Sequence, residues 1–253
     1  MIFKRHELAV IVPITGTTAQ VLVEETEAAS EAGADVVEWR IDHLFGHHPN
    51  FSFGLLGREI IPQLLKATTA PLLLTIRTAF QGGEIKLSQG RYRLLLAEML
   101  DTLMQLQVPA DRIAIDVEFW YAGAPDIAAR ARDLGYTVVV SHHDWVETPD
   151  DDIMRIMIDD MLEIPEAVAK LAVTATNESD VDRLLRVTRD VTTETDRPVI
   201  TLSMGMQGRR SRLEGRKYGS VATFATVVNS SAPGQPSLAE LREALAADDA
   251  GRA

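Results

Sequence analysis

The strongest constraint in this sequence is an alternation that runs from one end to the other: short β-branched runs give way to longer segments of helical periodicity. Strand-like runs fall at residues 8–14, 35–41, 71–76, 112–117 and 136–141, then around Lys170, at 198–202 and within 220–227. Helical patterns stand between them at 19–31, 53–66 and 125–134, the last closed by Gly135. Three more start after Thr148-Pro149, near Ser179 and at Pro236-Ser237. The clearest carries Tyr92, Leu95, Leu96, Met99, Leu100, Leu103 and Leu106 at the three-and-four spacing of one buried stripe. Eight strands, each followed by a helix or helix-like segment, predict an α/β fold of the (β/α)8 barrel type, and 253 residues suit one such barrel. No Gly- or Pro-rich break divides the chain, so one domain over residues 1–253 is expected, with a short disordered tail at 246–253. A doubly wound open sheet is the rival, but the first strand-to-helix turn, Ile14-Thr-Gly16-Thr-Thr18, lacks the glycine-rich phosphate pattern.

In a barrel of this kind function gathers at the carboxyl ends of the strands. The run Glu166-Ala-Val-Ala-Lys170-Leu-Ala-Val-Thr174 puts an ammonium on an apolar strand with no acid beside it in sequence. Such a group must reach water at the strand end or lose its proton, and an uncharged amine can form a Schiff base with a ketone. Strand two ends Glu38-Trp-Arg40, with Glu38 and Arg40 on one side; strand three ends at Arg77. Strand five ends Ser141-His142-His143-Asp144, where only one imidazole should face the mouth, and spacing does not choose which. Arg209, Arg210 and Arg212 follow strand seven as a phosphate grip or a carboxylate clamp. A metal is a poor fit: the chain has no cysteine, and the loop histidines His47 and His48, with Asp42 or His43, are the weak exception. A net charge of −12 argues against a nucleic-acid partner. No stretch approaches membrane-spanning length, and the start Met1-Ile-Phe-Lys-Arg lacks a signal-peptide core, so a soluble cytoplasmic protein is expected.

Several stretches taken together resemble a known family. They are Glu38-Trp-Arg-Ile-Asp42, Thr75-Ile-Arg77-Thr-Ala79, Ser141-His-His-Asp144, Lys170-Leu-Ala-Val, Ser203-Met204-Gly205, Ser211-Arg212-Leu213, Gly219-Ser220 and Ser231-Ala-Pro-Gly-Gln235. In order, over nearly the whole chain, they resemble type I 3-dehydroquinate dehydratase. The resemblance implies a (β/α)8 barrel, commonly a homodimer, that converts 3-dehydroquinate to 3-dehydroshikimate in the shikimate pathway through a lysine Schiff base, without metal or cofactor. Position by position it makes Lys170 the Schiff-base lysine, His143 the general acid/base and Arg212 the carboxylate-binding arginine. Glu38, Arg40 and Arg77 resemble the residues that hold substrate hydroxyls and order the site. Ser231 and Gln235 lie on the closing loop, and Met204 lines the pocket. By the same resemblance, Arg40 or Arg77 buried near Lys170 would repel its charge.

Two positions depart from that pattern. Gln81 stands where the family often has a glutamate thought to help set the charge of the histidine, and Pro13 stands in place of a first-strand serine. Two other functions stay open on the sequence. One is a class I aldolase-type Schiff-base lyase, with phosphate held near strands seven and eight; the other is a non-catalytic barrel that binds cyclic hydroxy acids.

Overall fold

Each β-branched run pairs with its neighbour in parallel, because every connection is a crossover long enough to carry a helix. A computed structural model describes residues 2–47, 51–228 and 234–250. The strands are β1 (Ala9–Ile14), β2 (Val36–Arg40), β3 (Leu72–Thr75), β4 (Ile113–Glu118), β5 (Thr137–His143), β6 (Val168–Thr174), β7 (Val199–Met204) and β8 (Ala222–Phe224). They form one parallel sheet ordered β7-β6-β5-β4-β3-β2-β1-β8. The ring closes where the Val221 N–H donates to the Val199 carbonyl at 3.0 Å and the Thr201 N–H donates to Ser220 Oγ at 3.3 Å. This is the expected (β/α)8 barrel.

The helices are α1 (Ala19–Glu31), α2 (Ile41–His47), α3 (Phe53–Ala67), α4 (Gln89–Gln105), α5 (Ala124–Asp133), α6 (Asp151–Leu162), α7 (Glu178–Glu194), α8 (Arg209–Glu214) and α9 (Leu238–Ala250). Side-chain caps start four of them: Thr18 accepts from the Val21 N–H, Ser88 from Arg91, Asn177 from Asp180 and Ser237 from Glu240. Two expectations need correcting. His47 belongs to a helix, α2, and not to a loop, while His48 lies outside the described residues. The tail expected to be disordered from 246 is helical as far as Ala250. Arg212 stands on the short helix α8.

Alternation divides the strand residues into two layers. Val37, Trp39, Leu72, Leu74, Ile115, Val117, Val138, Val140, Leu171 and Val173 pack outward against the helices. Inside the ring, Ile11, Val36, Leu73, Ala114, Val139, Val168 and Ile200 form an apolar floor that Phe3 joins, fully buried. Full burial of such side chains contributes roughly 1.5–3 kcal/mol each. The next inward positions toward the carboxyl ends are Glu38, Thr75, Asp116, Ser141 and Lys170, followed by Arg40, Arg77, Glu118 and His143. The apolar floor thus carries a polar, chemically loaded upper half.

Candidate active site

Glu38, Asp116 and Lys170 are all almost fully buried, so each charge must find a partner. Lys170 Nζ lies 3.3 Å from Asp116 Oδ2, 3.8 Å from Glu38 Oε1 and 4.6 Å from the centre of the Phe224 ring. Arg77 shares the Asp116 carboxylate with it, at 2.8 Å, and Arg40 lines the same cavity. Both arginines are already paired, and the charges nearest to Nζ are carboxylates from β4 and β2. Arg40 makes a bidentate pair with Asp42, with Nε at 2.9 Å and Nη2 at 2.7 Å. Asp42 also accepts the backbone N–H groups of Arg77 and Glu84, which leaves it no capacity for the metal site considered with His43 and His47. Among the described residues no group of three or more metal-ligating side chains occurs.

Arg77 is the hub. Its Nη2 donates to Asp116 at 2.8 Å, and its Nη1 donates to Glu118 at 3.1 Å and to Ser141 Oγ at 3.0 Å. Burial alone would lower the Arg77 pKa, but Asp116 and Glu118 outweigh it and raise it. Burial pushes the Asp116 carboxyl up; Arg77 and Lys170 win and hold it below its ordinary value. At Glu118 the balance is reversed: burial raises the carboxyl more than Arg77 and Thr78 lower it.

The structure separates the two histidines. His143 shares the inner face with Ser141, which pairs with Lys170 across β5 and β6. It therefore stands one inward step nearer the mouth than the lysine, roughly 7 Å along the neighbouring strand. His142 points outward and packs edge-on against Trp120, ring centres 5.6 Å apart. The His143 backbone N–H donates to Gln81 Oε1 at 3.1 Å, and its Nδ1 lies 3.1 Å from the same oxygen. Burial, then Arg77, Lys170 and Arg40, push the His143 pKa well below its ordinary value.

Arg212 is 1 % exposed, yet among the described residues it has no ion-pair partner, and its Nε makes no hydrogen bond. Burial pulls its pKa down to about 10. An unpartnered buried guanidinium is costly unless an anion arrives, and a carboxylate matches its fork. The other two members of the expected cluster do not join it. Arg209 pairs with Glu240, and Arg210 with Asp182, Glu178 and Glu214, all at the surface. The phosphate-grip reading loses its cations there.

One cavity brings together Glu38, Arg40, Arg77, Gln81, His143, Lys170, Met204, Arg212 and Gln235, with Trp145, Leu202 and Phe224 as apolar wall. Of the site residues named from the sequence, only Ser231 cannot be placed; it lies outside the described residues. Alternation puts Pro13 on the inner face of β1. Asp116, Glu118, Trp145 and Phe224 were not singled out from the sequence. Asp116 and Glu118 did carry a signal, two acids at i and i+2 in an otherwise apolar strand, the same pattern that marked Glu38 and Arg40. A larger cavity of about 750 Å³ opens among the amino ends of the strands, around Lys4, Glu7, Asp35 and Arg132. Its lining holds no buried amine or imidazole.

Residues 10–252 match the family described as Type I 3-dehydroquinase. The chain is 33% identical over 244 residues to the 3-dehydroquinate dehydratase of Klebsiella pneumoniae subsp. pneumoniae, covering 96% of this chain and 94% of that one. It is 34% identical over 241 residues to that of Salmonella choleraesuis, covering 93% and 91%. Among solved structures it is similar to type I 3-dehydroquinate dehydratase from Clostridium difficile, with a TM-score of 0.85, 30% identity, and coverage of 97% of this chain and 93% of that one.

Proposed function

The chain belongs to the type I 3-dehydroquinase family, and from that membership we infer that it is a hydro-lyase that dehydrates 3-dehydroquinate to 3-dehydroshikimate, with Lys170 as the Schiff-base lysine and His143 as the acid/base. One observation carries the assignment of residues: a buried amine and a half-buried imidazole on adjacent strands share a cavity with an arginine that, among the described residues, has no carboxylate of its own.

Lys170 adds to the substrate ketone and expels water, giving an iminium that draws electrons from the neighbouring carbon. His143 takes the proton from carbon 2 and returns it to the hydroxyl on carbon 1, which departs as water. A second water, assisted by the same imidazole, hydrolyses the imine and frees the lysine. The water lost in forming the imine is regained in its hydrolysis, so the net change is loss of one water from substrate. Arg212 pairs with the substrate carboxylate and fixes the ring so that the reacting hydrogen faces His143; such positioning lowers the barrier by several kcal/mol. Glu38, Arg40 and Arg77 order the site and face the substrate hydroxyls, with Met204, Gln235 and Ser231 completing the enclosure.

The test is reductive trapping. Borohydride added during turnover of 3-dehydroquinate should add the reduced ligand mass to the peptide that carries Lys170. An unmodified peptide at saturating ligand would reduce the protein to a binding barrel. Ultraviolet absorbance of the conjugated enone product separates dehydration from carbon–carbon cleavage by an aldolase. The Clostridium difficile enzyme is described with covalently modified comenic acid, and that covalent chemistry supports the trapping design.

We further propose that the protein acts as a cytoplasmic homodimer in the shikimate pathway, without metal, cofactor or nucleic-acid partner. Among the described residues no helix is long and apolar enough to cross a membrane. Light scattering should give twice the chain mass of 27.8 kDa; a single-chain mass at micromolar concentration would remove the dimer from the proposal.

A further inference from the structure

The contact between Gln81 and His143 has a chemical consequence that a salt bridge would not. The atom of Gln81 facing the His143 backbone N–H at 3.1 Å must be an acceptor, because an N–H can only donate; it is the amide oxygen and not the nitrogen. That same oxygen lies 3.1 Å from Nδ1. Two lone pairs at that distance repel, so Nδ1 carries a hydrogen and donates it. In a neutral ring the lone pair then belongs to Nε2.

Gln81 is held firmly. It is buried and ends a tight turn, Ala79–Gln81, whose preceding residue Thr78 is clamped on Glu118 through its N–H and its hydroxyl, both at 2.8 Å. The turn leaves through Gly82 at φ +82°, where a Cβ would lie 2.0 Å from the Trp145 ring. Any residue other than glycine there would move the turn, and Gln81 with it.

The charges around the imidazole decide its resting state. Sharing its cavity or standing on the strands beside it are Glu38 and Arg40 on β2, Arg77 after β3, Asp116 and Glu118 on β4, Lys170 on β6 and Arg212 on α8, with His142 and Asp144 its neighbours in the chain. Every carboxylate in that set already serves another group. Glu38 holds Thr75 and Lys170; Asp116 holds Arg77, Ser141 and Lys170. Glu118 holds Arg77 and Thr78, and Asp144 caps its own turn at Val146 and Glu147. Among the described residues none of them forms an ion pair with His143, whose ring nitrogen meets the uncharged amide of Gln81 instead.

We propose that Gln81 is a positioning residue that fixes His143 as the Nδ1–H tautomer, so that Nε2 is its one proton-accepting atom and the imidazole begins and ends each turnover uncharged. The proposal rests on the dehydratase reading for its role in turnover. In each cycle Nε2 takes one proton from carbon 2 and gives that proton to the leaving hydroxyl. The imidazolium exists only between the two steps, without a counter-charge, and is a strong acid when the hydroxyl needs one.

The test is histidine-selective ¹⁵N NMR on the full chain, with the His143→Gln spectrum identifying the resonance among the six histidines. At pH 7 the His143 ring should show a protonated Nδ1 and a bare Nε2, and it should hold that state as the pH falls through the ordinary histidine value. A protonated Nε2 with a bare Nδ1, or an imidazolium at pH 7, would overturn the proposal. Gln81→Glu supplies the missing negative charge and favours the imidazolium. The neutral base is then lost at a higher pH, and the acid limb of kcat/KM should move up by about one pH unit, approaching a tenfold loss relative to the parent at pH values below both limbs. Superimposable profiles would equally overturn it. The spectra need no substrate, so a wrong reaction would appear as absent turnover with the tautomer signature intact.

Discussion

Replacing Lys170 by alanine is expected to abolish dehydration, with kcat falling by on the order of 10⁵-fold, the scale on which enzymes respond to loss of a covalent nucleophile. No neighbouring amine can take over: the cations that share the cavity are the guanidinium groups of Arg40, Arg77 and Arg212, which stay protonated and cannot form an imine. Binding should survive, because the proposed carboxylate partner, Arg212, stands on α8 and does not depend on the lysine for its place. The fold should survive as well. Asp116 loses Nζ but keeps Arg77 at 2.8 Å and Ser141 at 2.7 Å, so its charge does not become an isolated buried one. The measurement is the rise of product absorbance together with calorimetric titration of a non-reactive ring carboxylate. A variant within tenfold of the parent rate would sink the Schiff-base assignment, whatever its affinity.

The parts of this molecule that were legible in the sequence are those governed by local periodicity. All eight strands could be read because each lies in a short, largely apolar run set between segments of helical periodicity or turn residues. Helix α2 was not, because it begins at Ile41 directly from β2 with no capping residue between and contains Gly46. At six residues α8 is too short for a helical stripe to repeat, and the arginines within it looked like one cluster. In three dimensions that cluster divides, Arg212 inward and its neighbours onto surface acids. The same limit hid the partners of Lys170. Its partners Asp116 and Glu38 are 54 and 132 positions away in sequence, and strand register rather than proximity in the chain brings them to Nζ. His143 could be named only through the resemblance, since local spacing left it level with His142; the inward turn of Ser141 and His143 together decides between them.

Arg77→Met should cost about 3–5 kcal/mol of stability, the penalty for removing one side of a buried ion network. Three hydrogen bonds end on this guanidinium, and its loss leaves Asp116 and Glu118 facing each other inside the ring with only Lys170, Ser141 and Thr78 to compensate. At roughly 2–4 °C per kcal/mol for a chain of this size, the midpoint of thermal unfolding should fall by about 10 °C. Methionine fills the volume, so the loss reports charge rather than a cavity. Pairing the change with Asp116→Asn separates the two contributions. If uncompensated charge is the cause, the double variant should be more stable than Arg77→Met alone, because the buried acid left without its guanidinium has been neutralised. Equal or additive losses would mean that Arg77 acts mainly by packing. The same substitution should lower kcat more than the loss of stability explains, because Thr78, Glu118 and Arg77 together anchor the turn that carries Gln81 to His143. A kcat within twofold of the parent at a temperature where the variant is fully folded would show that the network serves stability alone.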